Sequence, residues 1–167
     1  MASTVTLGLA EIKVGAIDAD GGMGTSLSRL GYTFQNTAQM QQEDGTTTDF
    51  IVEELDTPLA SITQPGKLSF NFSIADPDVD TLAKIFGGTA DTTSTPNTWS
   101  APDASPELEL SIEIVPKQGL KFKIPRAKVT AKFNGSFSKT SLFLVEVSCV
   151  VLQPVKAGEP RITVTKL

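Results

Sequence analysis

Several stretches of this chain alternate apolar with polar residues at a period of two, and that repetition restricts the fold more than any other feature. Leu68, Phe70, Phe72 and Ile74 fall on one side, Lys67, Ser69, Asn71 and Ser73 on the other. Leu108, Leu110, Ile112 and Ile114 alternate with Glu107, Glu109, Ser111 and Glu113. Phe122 and Ile124 alternate with Lys121 and Lys123, and Val129, Ala131, Phe133 and Phe137 with Lys128, Thr130, Lys132 and Asn134. Successive side chains on a strand point to opposite faces, so each stretch is a strand with one buried and one wet face. The expected fold class is mainly β, an antiparallel sandwich or small barrel. Its acidic and basic outer rows are placed to pair across neighbouring strands.

Residues 142–152 break the rule. Phe143, Val145, Val147, Cys149 and Val151 make one face wholly apolar. The other face carries Leu142, Leu144, Val150 and Leu152, with only Glu146 and Ser148 polar. Such a strand is either central to the fold or gives one face to another chain. Near the N-terminus, Val5, Leu7 and Leu9 are out of phase with Ile12, Val14 and Ala16, which predicts a bulge or bend near Ala10-Glu11. Residues 154–167 read as a Pro-Gly linker and a last strand.

One short helix is predicted, over about residues 76–86. Asp76 is the expected cap, Pro77 the first helical residue, and Asp78 and Asp80 set negative charge at the positive end of the helix dipole. Val79, Leu82, Ala83 and Phe86 form its apolar face, and Gly87-Gly88 ends it. The helix is expected to flank the strands and cover an open end or edge. Upstream, Tyr32, Phe34, Asn36, Ala38 and Met40 alternate weakly, Asp44-Gly45 signals a turn, and residues 50–55 read as the return. A long protruding hairpin over residues 32–57 follows, with a Thr-rich tip and an acidic return arm.

Catalytic chemistry finds little material. The chain has no histidine, which removes Ser-His-Asp and Cys-His arrangements and the commonest zinc ligand. Asp76-x-Asp78-x-Asp80 lacks the Gly and Glu that a calcium loop needs at its sixth and twelfth positions, which are Thr81 and Gly87 here. The glycines of residues 18–26 are followed by no G-K-[ST], so they read as a turning loop and not as a phosphate cradle. Glu53 and Glu54 are adjacent on a predicted strand and so point apart. Cys149 lies in an apolar run and reads as core. The chain is expected to be no enzyme and to hold no metal or cofactor. Its 167 residues suit a single domain over residues 1–167, no basic region followed by an apolar run suggests a secretory signal, and no run is long enough to span a bilayer. A net charge of −5 argues against a sequence-independent grip on nucleic acid.

The order of parts resembles the tail tube (major tail) proteins of tailed bacteriophages, themselves similar to inner-tube proteins of contractile injection systems. The glycine loop DADGGMGTSL, the acidic hairpin QQEDGTTTDFIVEELDTP and the strand–helix unit LSFNFSIADPDVDTLAKIFGGT carry the resemblance. It implies a β-sandwich that assembles into stacked hexameric rings, a hollow conduit for DNA during ejection. The hairpin, with Met40, Gln41, Glu43, Asp44, Thr47, Phe50, Val52, Glu53 and Glu54, would then reach a neighbouring subunit or ring. The N-terminal segment and last strand would add contacts between rings. Implied partners are further copies of the chain, other tail proteins (terminator, baseplate or distal tail, tape measure) and passing DNA that is not specifically bound. The implied location is the virion tail, assembled in the host bacterial cytoplasm. A carboxylate-lined lumen would let DNA slide, with Lys121, Lys123, Lys128 and Lys132 at subunit contacts or outside. Other readings are a tail terminator or capsid decoration protein, or a monomeric ligand-binding sandwich such as a carbohydrate-binding module.

Overall fold

The computed structural model describes residues 3–167. In chain order the strands are β1 (Leu7–Gly15), β2 (Ser28–Arg29), β3 (Gln39–Gln42), β4 (Thr46–Phe50), β5 (Ala60–Gln64) and β6 (Leu68–Ile74). After helix α1 (Val79–Phe86) come β7 (Thr89–Asp91), β8 (Thr98–Ser100), β9 (Leu108–Gln118), β10 (Leu120–Gly135), β11 (Phe143–Val151) and β12 (Thr163–Lys166). The main sheet is antiparallel in the order β2-β1-β9-β10-β11-β6-β3, with β12 also on β10. The expected β class is what forms, and the two-sided apolar strand, β11, lies in the middle between β10 and β6.

Residues 28–34 bring the two ends of this sheet together. Ser28 and Arg29 pair with Val14 and Lys13 of β1, and the Leu30 N–H donates to Ile12 O at 3.1 Å. A few residues later Thr33 bridges to Ile74 of β6, Ala75 N–H donates to Tyr32 O and Phe34 N–H to Ser73 O, both at 2.8 Å. Gly31 makes the crossing at φ +124°, a backbone region that side chains disfavour. Closure removes exposed edges at this end and turns the sheet into a barrel.

The inward rows fill that barrel. Ile12, Val14, Phe70, Phe72, Ile74, Ile112, Ile114, Ile124, Ala127, Val129, Val145, Val147 and Cys149 are buried together. Fully burying one large side chain of this kind is worth about 1.5–3 kcal/mol. Burial also pushes the Cys149 thiol up to about 12, which leaves it a small apolar residue in practice. The register of β1 on β9 shifts between Leu9 and Glu11, where the phase of the sequence changes. A second shift, between Ile124 and Ala127, surrounds Pro125, whose missing N–H is tolerated at a bulge. Ser111 ties this bend to the glycine loop: its hydroxyl donates to Pro125 O at 2.7 Å and accepts from Gly24 N–H at 2.9 Å, all buried.

The outer face of the sheet is a lattice of matched charges. Arg126 grips Glu109 with two parallel bonds of 2.7 and 2.9 Å, and they hold the Glu109 carboxyl below the usual carboxylate range. Lys121 pairs with Glu113 at 3.5 Å, Lys128 with Glu107 at 2.7 Å and Lys132 with Glu146 at 2.9 Å. The cross-strand pairing expected of the two outer rows is therefore present.

Two expectations need correcting. Helix α1 begins at Val79 with Asp78 as its cap, the side chain accepting from Thr81 N–H at 2.7 Å. Asp76 instead accepts from Tyr32 N–H at 2.5 Å, pinning the chain beside the Gly31 crossing, and Pro77 precedes the cap. Both aspartates satisfy the sequence pattern of a cap; the tertiary partner on Tyr32 decides between them. The hairpin is also displaced. Residues 39–42 pair with β6 as part of the barrel, and Asp44-Gly45 sits at the base of the protrusion. The protruding ribbon is β4 on β5, Thr46 opposite Gln64 and Phe50 opposite Ala60, with its tip at residues 51–59.

Candidate assembly surface

The β4–β5 ribbon, called the arm below (residues 43–66), leaves the barrel where the Glu43 N–H donates to Lys67 O at 2.9 Å. Within it, Thr47 faces Thr63 and Asp49 faces Ser61, joined by side-chain hydrogen bonds of 3.1 and 2.6 Å. That is a finished polar face. The period of two sends Thr48, Phe50, Ala60 and Ile62 to the opposite, apolar face. The tip adds Ile51, Leu55 and Leu59, held in a turn by Leu55 N–H to Val52 O and Leu59 N–H to Phe50 O. Every residue of both arm strands is exposed. Ile51 is 72% exposed, Leu59 64%, Ile62 54% and Phe50 49%. A lone two-stranded ribbon is marginal in water, so an apolar face left open on one is a surface awaiting cover.

Charge is concentrated here as well. Residues 43–66 hold Glu43, Asp44, Asp49, Glu53, Glu54 and Asp56 and no lysine or arginine. The whole chain has 14 basic and 19 acidic residues, so the remainder carries 14 against 13. The acidity belongs to the arm; the barrel is close to neutral.

Of the residues expected in the assembly hairpin, Thr47, Phe50, Val52, Glu53 and Glu54 lie in the arm, and Glu43 and Asp44 at its base. Met40 and Gln41 lie in β3, opposite Phe70 and Ser69. Met40 instead lines an open cleft of about 600 Å³. Its walls are residues 29–38 on one side and the start of β1 with the end of β9 on the other, over a floor that includes Leu9, Phe70, Ile114 and Phe122. No local pattern announces this cleft, because its lining comes from five separate segments.

At the opposite end α1 covers the barrel. Ile85 is buried and the Thr81 hydroxyl donates to Leu30 O at 3.1 Å, while Val79 and Leu82 are half-buried. Phe86 stacks on Phe133 with ring centres 4.7 Å apart, and Gly87, φ +77°, caps the helix. Trp99 on β8 donates from Nε1 to Gly87 O at 2.9 Å and leans on Phe86, so it pins its hairpin to the helix. Beyond the strand end, Phe137 stacks on Phe143 at 5.1 Å and is 94% exposed. Three of the nine phenylalanines, Phe50, Phe133 and Phe137, are thus exposed, more than the alternation predicts.

The glycine loop is tightly turned. Asp20 accepts from Gly22 N–H and pairs with Lys156 at 2.7 Å; the lysine's hydrogen bond, then that of Gly22, hold its carboxyl below the usual range. Among the described residues no three His, Cys, Asp or Glu side chains are grouped to hold a metal, and no helix is long and apolar enough to cross a membrane. No protein-family model matches this chain, and no curated protein matches it.

Proposed function

We propose that the protein is a structural, self-assembling component of a bacteriophage tail, forming stacked hexameric rings that make a hollow tube for DNA. The observation that carries this reading is the arm: a hydrogen-bonded ribbon whose apolar face is made wholly of exposed residues. Such a surface suits a chain whose fold is completed by neighbours. On the outer sheet face Lys121, Lys128 and Lys132 are each paired with a carboxylate, which is compatible with their expected place at subunit contacts or on the outside of the tube. The acidic excess on the arm would serve subunit contacts, in place of the carboxylate-lined lumen that was expected within the resemblance. The virion tail is the corresponding location, with the terminator, baseplate and tape-measure proteins as further partners.

A monomeric glycan-binding module is the second reading, favoured by the exposed Phe137–Phe143 stack near Phe133. Negative-stain electron microscopy across a concentration series, with light scattering on the same samples, separates the two. Rings or tubes of uniform width are the expected result. A strict monomer at every concentration that binds glycans would replace the tube reading with the module.

A further inference from the structure

The barrel is closed at one end and splayed at the other. Residues 28–30 pair with β1 only at Ile12, Lys13 and Val14, so among the described residues the Leu7–Glu11 half of β1 has a strand partner, β9, on one side alone. Across the cleft, β3 pairs with β6 on one side alone. The cleft therefore lies between two unpaired strand edges over the apolar side chains Leu9, Met40, Phe70, Ile114 and Phe122. An open edge beside an apolar floor is the geometry that accepts an added strand.

Its rim is basic. Arg29 and Lys117 line the cleft, both exposed, and among the described residues neither has a carboxylate partner. The arm offers the complement: an apolar face with Phe50 and Ile62, a tip with Ile51, Leu55 and Leu59, and Glu53, Glu54 and Asp56 between them. None of the arm's residues lines the cleft of its own chain.

We propose that this cleft is the receptor for the arm of a second copy, which enters the seam, pairs with an open edge and sets its acidic tip against Arg29 and Lys117. The proposal rests on the self-assembly reading and makes it specific. Donor and acceptor are different surfaces of one chain, so the contact is head-to-tail and propagates from copy to copy.

Charge exchange tests the contact by sedimentation velocity at low salt. The Arg29→Glu/Lys117→Glu chain and the Glu53→Lys/Glu54→Lys chain should each self-associate at least ~10-fold more weakly than the unaltered protein, and an equimolar mixture should recover most of the loss. A third chain, with residues 45–64 excised so that Asp44 joins Pro65-Gly66, keeps the cleft and lacks the donor. It should stay monomeric alone and bind the unaltered chain. If excision abolishes association while cleft reversal changes nothing and the mixture recovers nothing, the arm docks elsewhere: the cleft proposal fails and self-assembly stands. If the unaltered chain never associates, both fail.

Discussion

Two antiparallel pairs in this chain obey the same local code and meet opposite fates. In β6 and β11, Phe70, Phe72 and Ile74 face Cys149, Val147 and Val145, and all six are at most 3% exposed. In β4 and β5, Phe50 and Ile62 share a face with Ala60 and Thr48, and all four are exposed. Alternation makes a two-faced ribbon in both cases. Whether the apolar face becomes core depends on what the rest of the chain brings against it, and among the described residues no other element packs substantially on the arm. The barrel's apolar rows are buried by its own strands, whereas the arm keeps its apolar face exposed, and the proposed self-assembly assigns that face to association.

Truncations sharpen that contrast. Phe72→Ala in the barrel should lower stability by about 3–5 kcal/mol, read by denaturant melts, because the cavity cannot collapse among neighbouring strands. Ser111→Ala should cost about 1–3 kcal/mol by the same measurement, since it strands Gly24 N–H and Pro125 O in the interior. At the helix, Asp78→Ala should cost about 1 kcal/mol, and Asp80→Ala clearly less, because only the former caps Thr81. In the dilute monomer, Phe50→Ala and Ile62→Ala should each change stability by no more than about 0.5 kcal/mol while weakening self-association. A multi-kilocalorie loss there would mean the arm is part of the fold.

The smallest effect concerns the β7–β8 hairpin. Hydrogen bonds from Ser94 and then Thr93 lower the Asp91 carboxyl from its ordinary 3.8 to about 2. A lowered folded value means that the ionised form is the one the hairpin favours. Its contribution is complete above pH 3.8 and fades as pH falls toward about 2. Trp99, opposite Ala90 in this hairpin, should report the change by fluorescence within that window. Asp91→Asn should remove the transition; an unchanged profile would reassign it to another carboxylate.

The inward rows of β6, β9 and β11, and of β10 as far as Ala131, were legible in the sequence because a period of two leaves little choice of face; Phe133 and Phe137, read on the same row, are exposed beyond the end of the core. The bulge in β1 and the pairing of acidic with basic rows were legible too. The helix was legible but its cap was not: Asp76 and Asp78 are both competent, and Tyr32, more than forty residues away, claims one of them. The arm was read with the wrong partners. Asp44-Gly45 is a sound hairpin signal, yet β3 gains more by joining Phe70 and Asn71 in the barrel than by pairing with residues 50–55. The cleft was invisible, because it opens where the closing pairing at residues 28–34 stops short of the rest of β1, and no local pattern encodes where that pairing ends.

Hydrogen–deuterium exchange on the full chain, dilute and concentrated, tests the central claim most directly. In the dilute sample the amides of residues 46–64 should exchange far faster than those of β6 and β11, and concentration should slow the arm alone by at least ~10-fold. Arm amides already protected at dilution, or still unprotected in the associated state, would contradict the division between a barrel that folds and an arm that assembles.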